Sequence, residues 1–250
     1  MDPEEFPVTK YTVQLYYFPF SETVSSIDRD DAPVQVASGV LIKGRSKYFL
    51  LTCKHVFDHI KISDVIILTS SGFSVRLPDA IKFVNNDADS IDMALVELKN
   101  ERLAELKSRY SFLPYKNLGF NHVFDEDLFY MLYGYINKHT ELKEQAYFEV
   151  ASFAHLTNIR YYKKFEELGF NYDQNISLEY NRRKQSDFEE VRKVGPKDLK
   201  GMSGGGIWLS VAGRKRDTYR YLLVGIMIEE RLERGFIIGT KIRLIENELV

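Results

Sequence analysis

A serine set among glycines is the first feature of this chain that could do chemistry. Gly201-Met202-Ser203-Gly204-Gly205-Gly206-Ile207-Trp208 puts it in a turn directly before an apolar run. Glycines permit unusual backbone dihedrals and close approach. A nucleophilic hydroxyl needs both, because N–H groups at and just before the serine must converge on the oxygen of a tetrahedral intermediate. The same residues would also suit a plain glycine-rich hairpin turn. His55, in Thr52-Cys53-Lys54-His55-Val56-Phe57, follows an apolar run and stands at a strand-to-turn junction. An imidazole there can face a cleft and act as a general base, although histidines in β-rich segments also serve purely structural ends. Asp92, in Asp89-Ser90-Ile91-Asp92-Met93-Ala94-Leu95-Val96, lies at the mouth of an apolar strand, a place where aspartate is also a common turn residue. Taken in chain order, His55, Asp92 and Ser203 supply a base, an acid to orient it and a hydroxyl to activate.

Other chemistries are poorly served. Cys53 lies two residues before His55 and invites a thiol reading, but no glycine-rich turn surrounds it, and a strand-borne cysteine is usually a small buried hydrophobe. His59, His122, His139 and His155 show no metal-ligand spacing with a second histidine or cysteine, so zinc is disfavoured, and chemistry at a serine hydroxyl of this kind requires no metal or organic cofactor. The stretch from Arg160 to Lys200 interleaves tyrosines with ten Lys/Arg, but eight Asp/Glu accompany them, which reads as a solvated surface rather than a phosphate groove. Across the chain 34 basic residues meet 36 acidic ones, a net charge of −2, so no nucleic-acid partner is implied.

The elements that must position these side chains are strands. The chain has 250 residues, 44% of them hydrophobic, with 17 Phe and 16 Tyr, enough for a sizeable core of β-structure. Runs at Tyr11–Phe18, Val34–Lys43, Tyr48–Cys53, Val65–Leu68, Phe73–Leu77, Ile81–Val84 and Asp92–Leu98 predict an antiparallel barrel or sandwich. Leu103 and Leu106 among charges predict one surface helix before a linker at 111–127. Strands return at Leu128–Ile136 and Tyr147–Phe153. A helix over Tyr161–Leu168 and a strand over Ile176–Tyr180 follow, then strands at Gly206–Val211, Tyr221–Ile228 and Gly235–Ile242 and a helical turn at Leu244–Val250. The expected division is residues 1–110, carrying His55 and Asp92, and 128–250, carrying Ser203, with an insertion at 158–200. The longest uninterrupted apolar run, Tyr221–Ile228, is too short to cross a bilayer, and no membrane association is expected. Met1–Phe6 is acidic without a basic or hydrophobic leader region, and Cys53 is the sole cysteine, so a cytoplasmic location is expected.

On these motifs the sequence resembles the chymotrypsin/trypsin-like serine peptidases. Thr52-Cys53-Lys54-His55 is similar to that family's Thr-Ala-Ala-His turn, Asp92-Met93-Ala94-Leu95 to its Asp-Ile-Ala-Leu motif, and Gly201-Met202-Ser203-Gly204-Gly205 to its Gly-Asp-Ser-Gly-Gly nucleophile motif. Ala37-Ser38-Gly39-Val40-Leu41-Ile42 resembles the strand before the histidine, and Leu223-Val224-Gly225-Ile226 the strand after the serine. The resemblance implies an all-β fold of two antiparallel barrels with a short C-terminal helix. It implies peptide hydrolysis through an acyl-enzyme, with His55, Asp92 and Ser203 as catalytic residues and the N–H groups of Gly201 and Ser203 as the oxyanion hole. The substrate would be a protein or peptide. A regulated effector answering to a protein partner is one form of this reading; a catalytically silent peptide-binding module is the alternative. Met202 stands where the secreted enzymes carry an aspartate that pairs with a newly cut N-terminus, and no Ile-Val-Gly-Gly type start precedes Gly39. N-terminal cleavage is therefore not expected to order the oxyanion hole, as in the family's intracellular bacterial or viral branches. The implied substrate cleft is flanked by Lys197 and Asp198 on one side and Ile228, Glu229 and Glu230 on the other, and their mixed charges leave side-chain preference open.

Overall fold

The computed structural model describes residues 7–18, 33–69, 74–78, 81–84, 90–137, 151–181, 198–212 and 219–249. Phe73, Asp89, His139, Lys197 and residues 147–150, singled out above, lie outside them.

The apolar runs of the first half become β1 (Thr12–Tyr17), β2 (Val34–Lys43), β3 (Tyr48–Thr52), β4 (Val65–Leu68), β5 (Ser74–Arg76), β6 (Lys82–Phe83), β7 (Ala94–Leu98) and β8 (Leu113–Pro114). They form one curled sheet in the order β5-β4-β1-β2-β3-β7-β6, with β8 added parallel to β2 and the other pairs antiparallel. The second half supplies β9 (Phe129–Ile136), β10 (Ala151–Asn158), β11 (Asn175–Glu179), β12 (Gly206–Ala212), β13 (Tyr219–Arg231) and β14 (Phe236–Lys241), ordered β10-β9-β12-β13-β14-β11. An antiparallel bridge between Ile159 and Leu178 joins the two edges of this sheet and curls it shut. The fold is all-β, two antiparallel barrels side by side.

One apolar cluster runs through both barrels, with Leu15, Val40 and Leu51 from the first and Trp208, Leu223 and Ile226 from the second. A further cluster, including Leu132, Met202, Ile207 and Val224, fills the second barrel alone. The helix α1 (Asn100–Arg109) buries Leu103 and Leu106, the two residues that marked it in the sequence, and carries Glu101 in its first turn and Lys107 and Arg109 in its last, matching the helix dipole. The last of the described residues form a 3-10 helix, Ile242–Leu249, that buries Ile242, Ile245 and Leu249. No helix among the described residues is long and apolar enough to cross a membrane.

The stretch 111–127 is tied to both barrels. Leu113–Pro114 pairs with β2, and Leu118 and Gly119 lie against Leu223 of β13, with Gly119 N–H donating to the Leu223 carbonyl at 2.8 Å. Residues 159–181 of the expected insertion are built into the second barrel through β11. The helix expected at Tyr161–Leu168 is reduced to a 3-10 turn at Glu166–Leu168, closed by Gly169 at φ +84°. Tertiary packing overrides the local helical spacing here. Phe165 is buried and stacks on Phe170 and Tyr172 at ring distances of 5.5 and 4.3 Å, which a continued helix would pull apart.

That packing yields a prediction. Phe165→Ala should lower the unfolding free energy measured in urea by about 3–5 kcal/mol, as for other large core truncations. Glu166→Ala, on the exposed side of the same turn, should stay within about 0.5 kcal/mol of wild type.

Candidate active site

Strand register brings His55 and Asp92 together. In the β3–β7 pair Thr52 faces Ala94, so continuing the same register sets Lys54 opposite Asp92, with His55 one residue on. After Thr52 the chain leaves the sheet in a 3-10 turn, His55–Phe57, whose Phe57 N–H donates to the Lys54 carbonyl at 2.9 Å. Asp92 Oδ1 accepts the His55 backbone N–H at 2.8 Å, and Oδ2 bonds the ring nitrogen Nδ1. The approach to Asp92 is anchored from the second barrel: Asn175 Nδ2 donates to the Ser90 carbonyl at 2.8 Å, and Ser90 Oγ donates to Gln174 Oε1 at 3.0 Å.

Ser203 arrives from the other side. Its Oγ lies 3.2 Å from His55 Nε2. With Nδ1 bonded to a carboxylate, the proton belongs on Nδ1, which leaves the Nε2 lone pair toward the hydroxyl. The serine turn is held by a full set of backbone acceptors. Leu199 C=O accepts from Met202 N–H, Lys200 C=O from Asn137 N–H, Gly201 C=O from Ser38 Oγ, Met202 C=O from Gly205 N–H and Ser203 C=O from Ser38 N–H, all at 2.7–2.9 Å. A trans peptide points its C=O and N–H in opposite directions. The N–H groups of Gly201 and Ser203 therefore face away from those contacts, and neither donates to another group among the described residues. Two glycines make the turn possible. Gly201 (φ +91°) and Gly204 (φ +84°) lie in the left-handed region, and a Cβ on Gly204 would run into the Ser38 carbonyl and Thr52 Oγ1.

Met202, at the position of the family's ion-pairing aspartate, is fully buried in the core of the second barrel with its sulfur against Gly134. Apolar burial thus helps to anchor the turn.

Electrostatics suit His55 to gain and lose a proton. Burial disfavours its cation, but the Asp92 carboxylate, through hydrogen bond and charge, with Asp58 and Glu229 behind it, outweighs that penalty and raises the pKa above the ordinary 6.5. The cleft beside His55 has a volume of about 560 Å³ and is lined by Lys54, His55, Asp58, Asp92, Glu229 and the apolar Ile91, Phe170 and Ile228. Of the residues expected to flank the cleft, Ile228 and Glu229 line it. Burial pushes the Glu229 carboxyl up, against the pull of its ion-pair partner Arg231. Asp198 is exposed, and Glu230 is turned aside, its Oε2 accepting the Leu199 N–H at 2.6 Å. The sequence reading missed Ser38, Asp58, Ile91 and Phe170. Ser38 was visible only as a small residue in a strand, and Phe170 carried no signal at all.

Cys53, His55 and Asp92 form the one group of three His, Cys, Asp or Glu donors among the described residues that could meet a cation, their donor atoms lying within 4.8 Å of one another. The set does not fit. The Cys53 thiol is buried, and burial, reinforced by Asp92, pushes its pKa well up; Sγ–H donates to the Met227 carbonyl at 3.1 Å. A protonated thiol turned to a carbonyl is neither a metal ligand nor a nucleophile.

No protein-family model matches the chain, and no curated protein matches it in sequence. Solved structures do. The chain is similar to a scabies mite inactivated protease paralogue, SMIPP-S-I1, with a TM-score of 0.56 at 15% identity over 96% of this chain and 92% of that one. It is similar to GrC with a TM-score of 0.56 at 13% identity over 99% and 94% of the two chains. With the Vibrio cholerae VesB protease the TM-score is 0.53 at 15% identity, over 96% of this chain and 62% of that one. At these identities the likeness shows the fold, which is that of the trypsin-like serine proteases.

The raised His55 pKa has a sign that can be checked. His55 should titrate above pH 6.5 when its C2–H resonance is followed by NMR, and the stabilising pair it makes with Asp92 should be complete below that pH and fade as pH rises through the folded pKa. Asp92→Asn should bring the titration down, because burial then acts without its counter-charge.

Proposed function

We propose that this protein is a serine endopeptidase that hydrolyses peptide bonds in a protein or peptide substrate. The observation that carries the reading is the single line of contacts from Asp92 through His55 to Ser203 Oγ, beside two backbone N–H groups with no other acceptor among the described residues. Ser203 Oγ attacks the substrate carbonyl carbon while its proton passes to His55 Nε2. The tetrahedral oxyanion is received by the N–H groups of Gly201 and Ser203. His55 then gives its proton to the leaving amine as the C–N bond breaks, and the acyl group remains on Ser203. Water takes the amine's place, loses a proton to His55 and attacks the ester carbonyl; the proton returns to Oγ as the acid departs. Asp92 stays ionised throughout, holding the imidazole tautomer and stabilising the transient imidazolium. Since Met202 anchors the turn through burial, the intact chain would carry a formed site without N-terminal cleavage. Gating by a protein partner is the regulated form of the same reading. The similarity to an inactivated paralogue favours one rival, a peptide-binding module with a silent triad.

A fluorophosphonate probe separates these readings, because it reacts with an activated hydroxyl beside an oxyanion hole. The probe should label the intact chain on Ser203, and Ser203→Ala should abolish labelling. His55→Ala should nearly do so, and Asp92→Asn should cut turnover by about 10⁴ through the wrong tautomer. Cys53→Ala should leave labelling in place. A folded chain that binds peptides and never labels would be the binding module, and labelling only after a partner is added would be the regulated enzyme.

A further inference from the structure

Glu230 entered as a residue of the substrate cleft, yet its carboxylate is spent on the backbone. It sits on β13, half-buried, and accepts the Leu199 N–H at 2.6 Å at the start of the serine turn. Leu199 in turn accepts Met202 N–H through its carbonyl at 2.9 Å, so the carboxylate holds the first hinge of that turn. On the far side Ser38, fully buried on β2 of the other barrel, takes Tyr135 N–H at 2.9 Å on its Oγ and donates that hydroxyl's proton to the Gly201 carbonyl at 2.8 Å. The hydroxyl thereby fixes the peptide that follows Gly201. Met202 N–H leads back to Leu199, and the Leu199 N–H leads to Glu230. The two peptides on either side of Gly201 are thus clamped from opposite barrels: Lys200 C=O by Asn137 N–H, Gly201 C=O by Ser38. Were the Lys200–Gly201 peptide to turn, the Lys200 carbonyl would come where the Gly201 N–H now points, and because glycine meets no steric barrier to that turn the peptides on both sides of it must be held.

We propose that Ser38 and Glu230 are positioning residues that hold the Gly201 and Ser203 N–H groups in place from opposite sides of the serine turn, the task that a charge pair with a cleaved N-terminus performs in the secreted enzymes. Neither touches the substrate. The inference rests on the peptidase reading, because these N–H groups matter to chemistry only where an oxyanion forms. Charged acceptors bind a backbone N–H more strongly than neutral ones, so Glu230→Gln should hold the turn less well than wild type and much better than Glu230→Ala.

The test uses the intact chain and the variants Ser38→Ala, Glu230→Ala and Glu230→Gln. Ser38→Ala and Glu230→Ala should each slow fluorophosphonate labelling and lower kcat on an amide substrate by about 10²–10³, the loss seen when an oxyanion donor is removed. KM should stay close to wild type and the His55 C2–H titration should not move. Glu230→Gln should recover most of the rate. Wild-type rates in Ser38→Ala and Glu230→Ala overturn the proposal, and so does a loss accompanied by a His55 titration that falls to the ordinary value, which marks general loosening of the site. A wild-type chain that neither labels nor cleaves defeats the peptidase reading instead. The positioning claim is then decided by ¹⁵N–¹H spectra: the Gly201 and Ser203 signals should shift in both alanine variants while those of β12 stay fixed, and unshifted signals overturn it.

Discussion

The hydrogen bonding of one buried strand residue, Ser38, is the constraint on which the site depends. Its N–H holds the Ser203 carbonyl, its hydroxyl joins β9 to the Gly201 carbonyl, and its own carbonyl accepts Thr52 Oγ1 at 2.7 Å, one turn from His55. Base and hydroxyl come from different barrels, so their separation is only as definite as the contact between the barrels. Glycine is required at 204, because a Cβ there would run into the Ser38 carbonyl and Thr52 Oγ1. Buried polar groups with no solvent to fall back on make such a junction costly to disturb.

Around that junction the chain uses burial and charge for different ends. Met202, Ile207 and Leu199 sink the serine turn into the second barrel by apolar contact, and the Glu230 carboxylate, half-buried beside it, binds the Leu199 N–H. A cluster of carboxylates lies on the other side, where Asp92 is bonded twice to His55 and where Asp58 and Glu229 act on the same imidazole. The separation has a physical sense. A charge at the fully buried position of Met202 would need a buried partner, with a desolvation penalty, whereas carboxylates at the rim of an open cleft stay partly solvated and still raise the proton affinity of the histidine. Ile91, Phe170 and Ile228 supply the apolar part of the cleft lining beside these charges.

The stretch before the serine has a larger part than its irregular sequence suggested. Residues 174–175 brace the turn that carries Asp92, Phe170 lines the cleft, and β11 closes the second barrel against β14. The second barrel therefore supports the acid as well as supplying the hydroxyl.

What the sequence by itself determined are the local features. The strand rhythm up to Leu98, the helix marked by Leu103 and Leu106, and the three motifs around His55, Asp92 and Ser203 were legible because each depends on residues close together in the chain: alternation, a short turn, a cluster of glycines. The sequence also carried the absence of an ion-pairing aspartate at Met202. Only the tertiary structure decided what the polar groups near the site do. Glu229 and Glu230, adjacent on β13, point to opposite sides by strand alternation, but only the packing of the sheet decides that Glu229 faces the cleft and Glu230 meets the Leu199 N–H. Nothing local assigns Ser38 to a peptide 163 residues away, or turns Tyr161–Leu168 from a helix into a stacked aromatic packing unit. Hydrogen bonds and ring contacts between distant segments fix those outcomes, because their energy depends on the approach of two surfaces and leaves no periodic trace in either one alone.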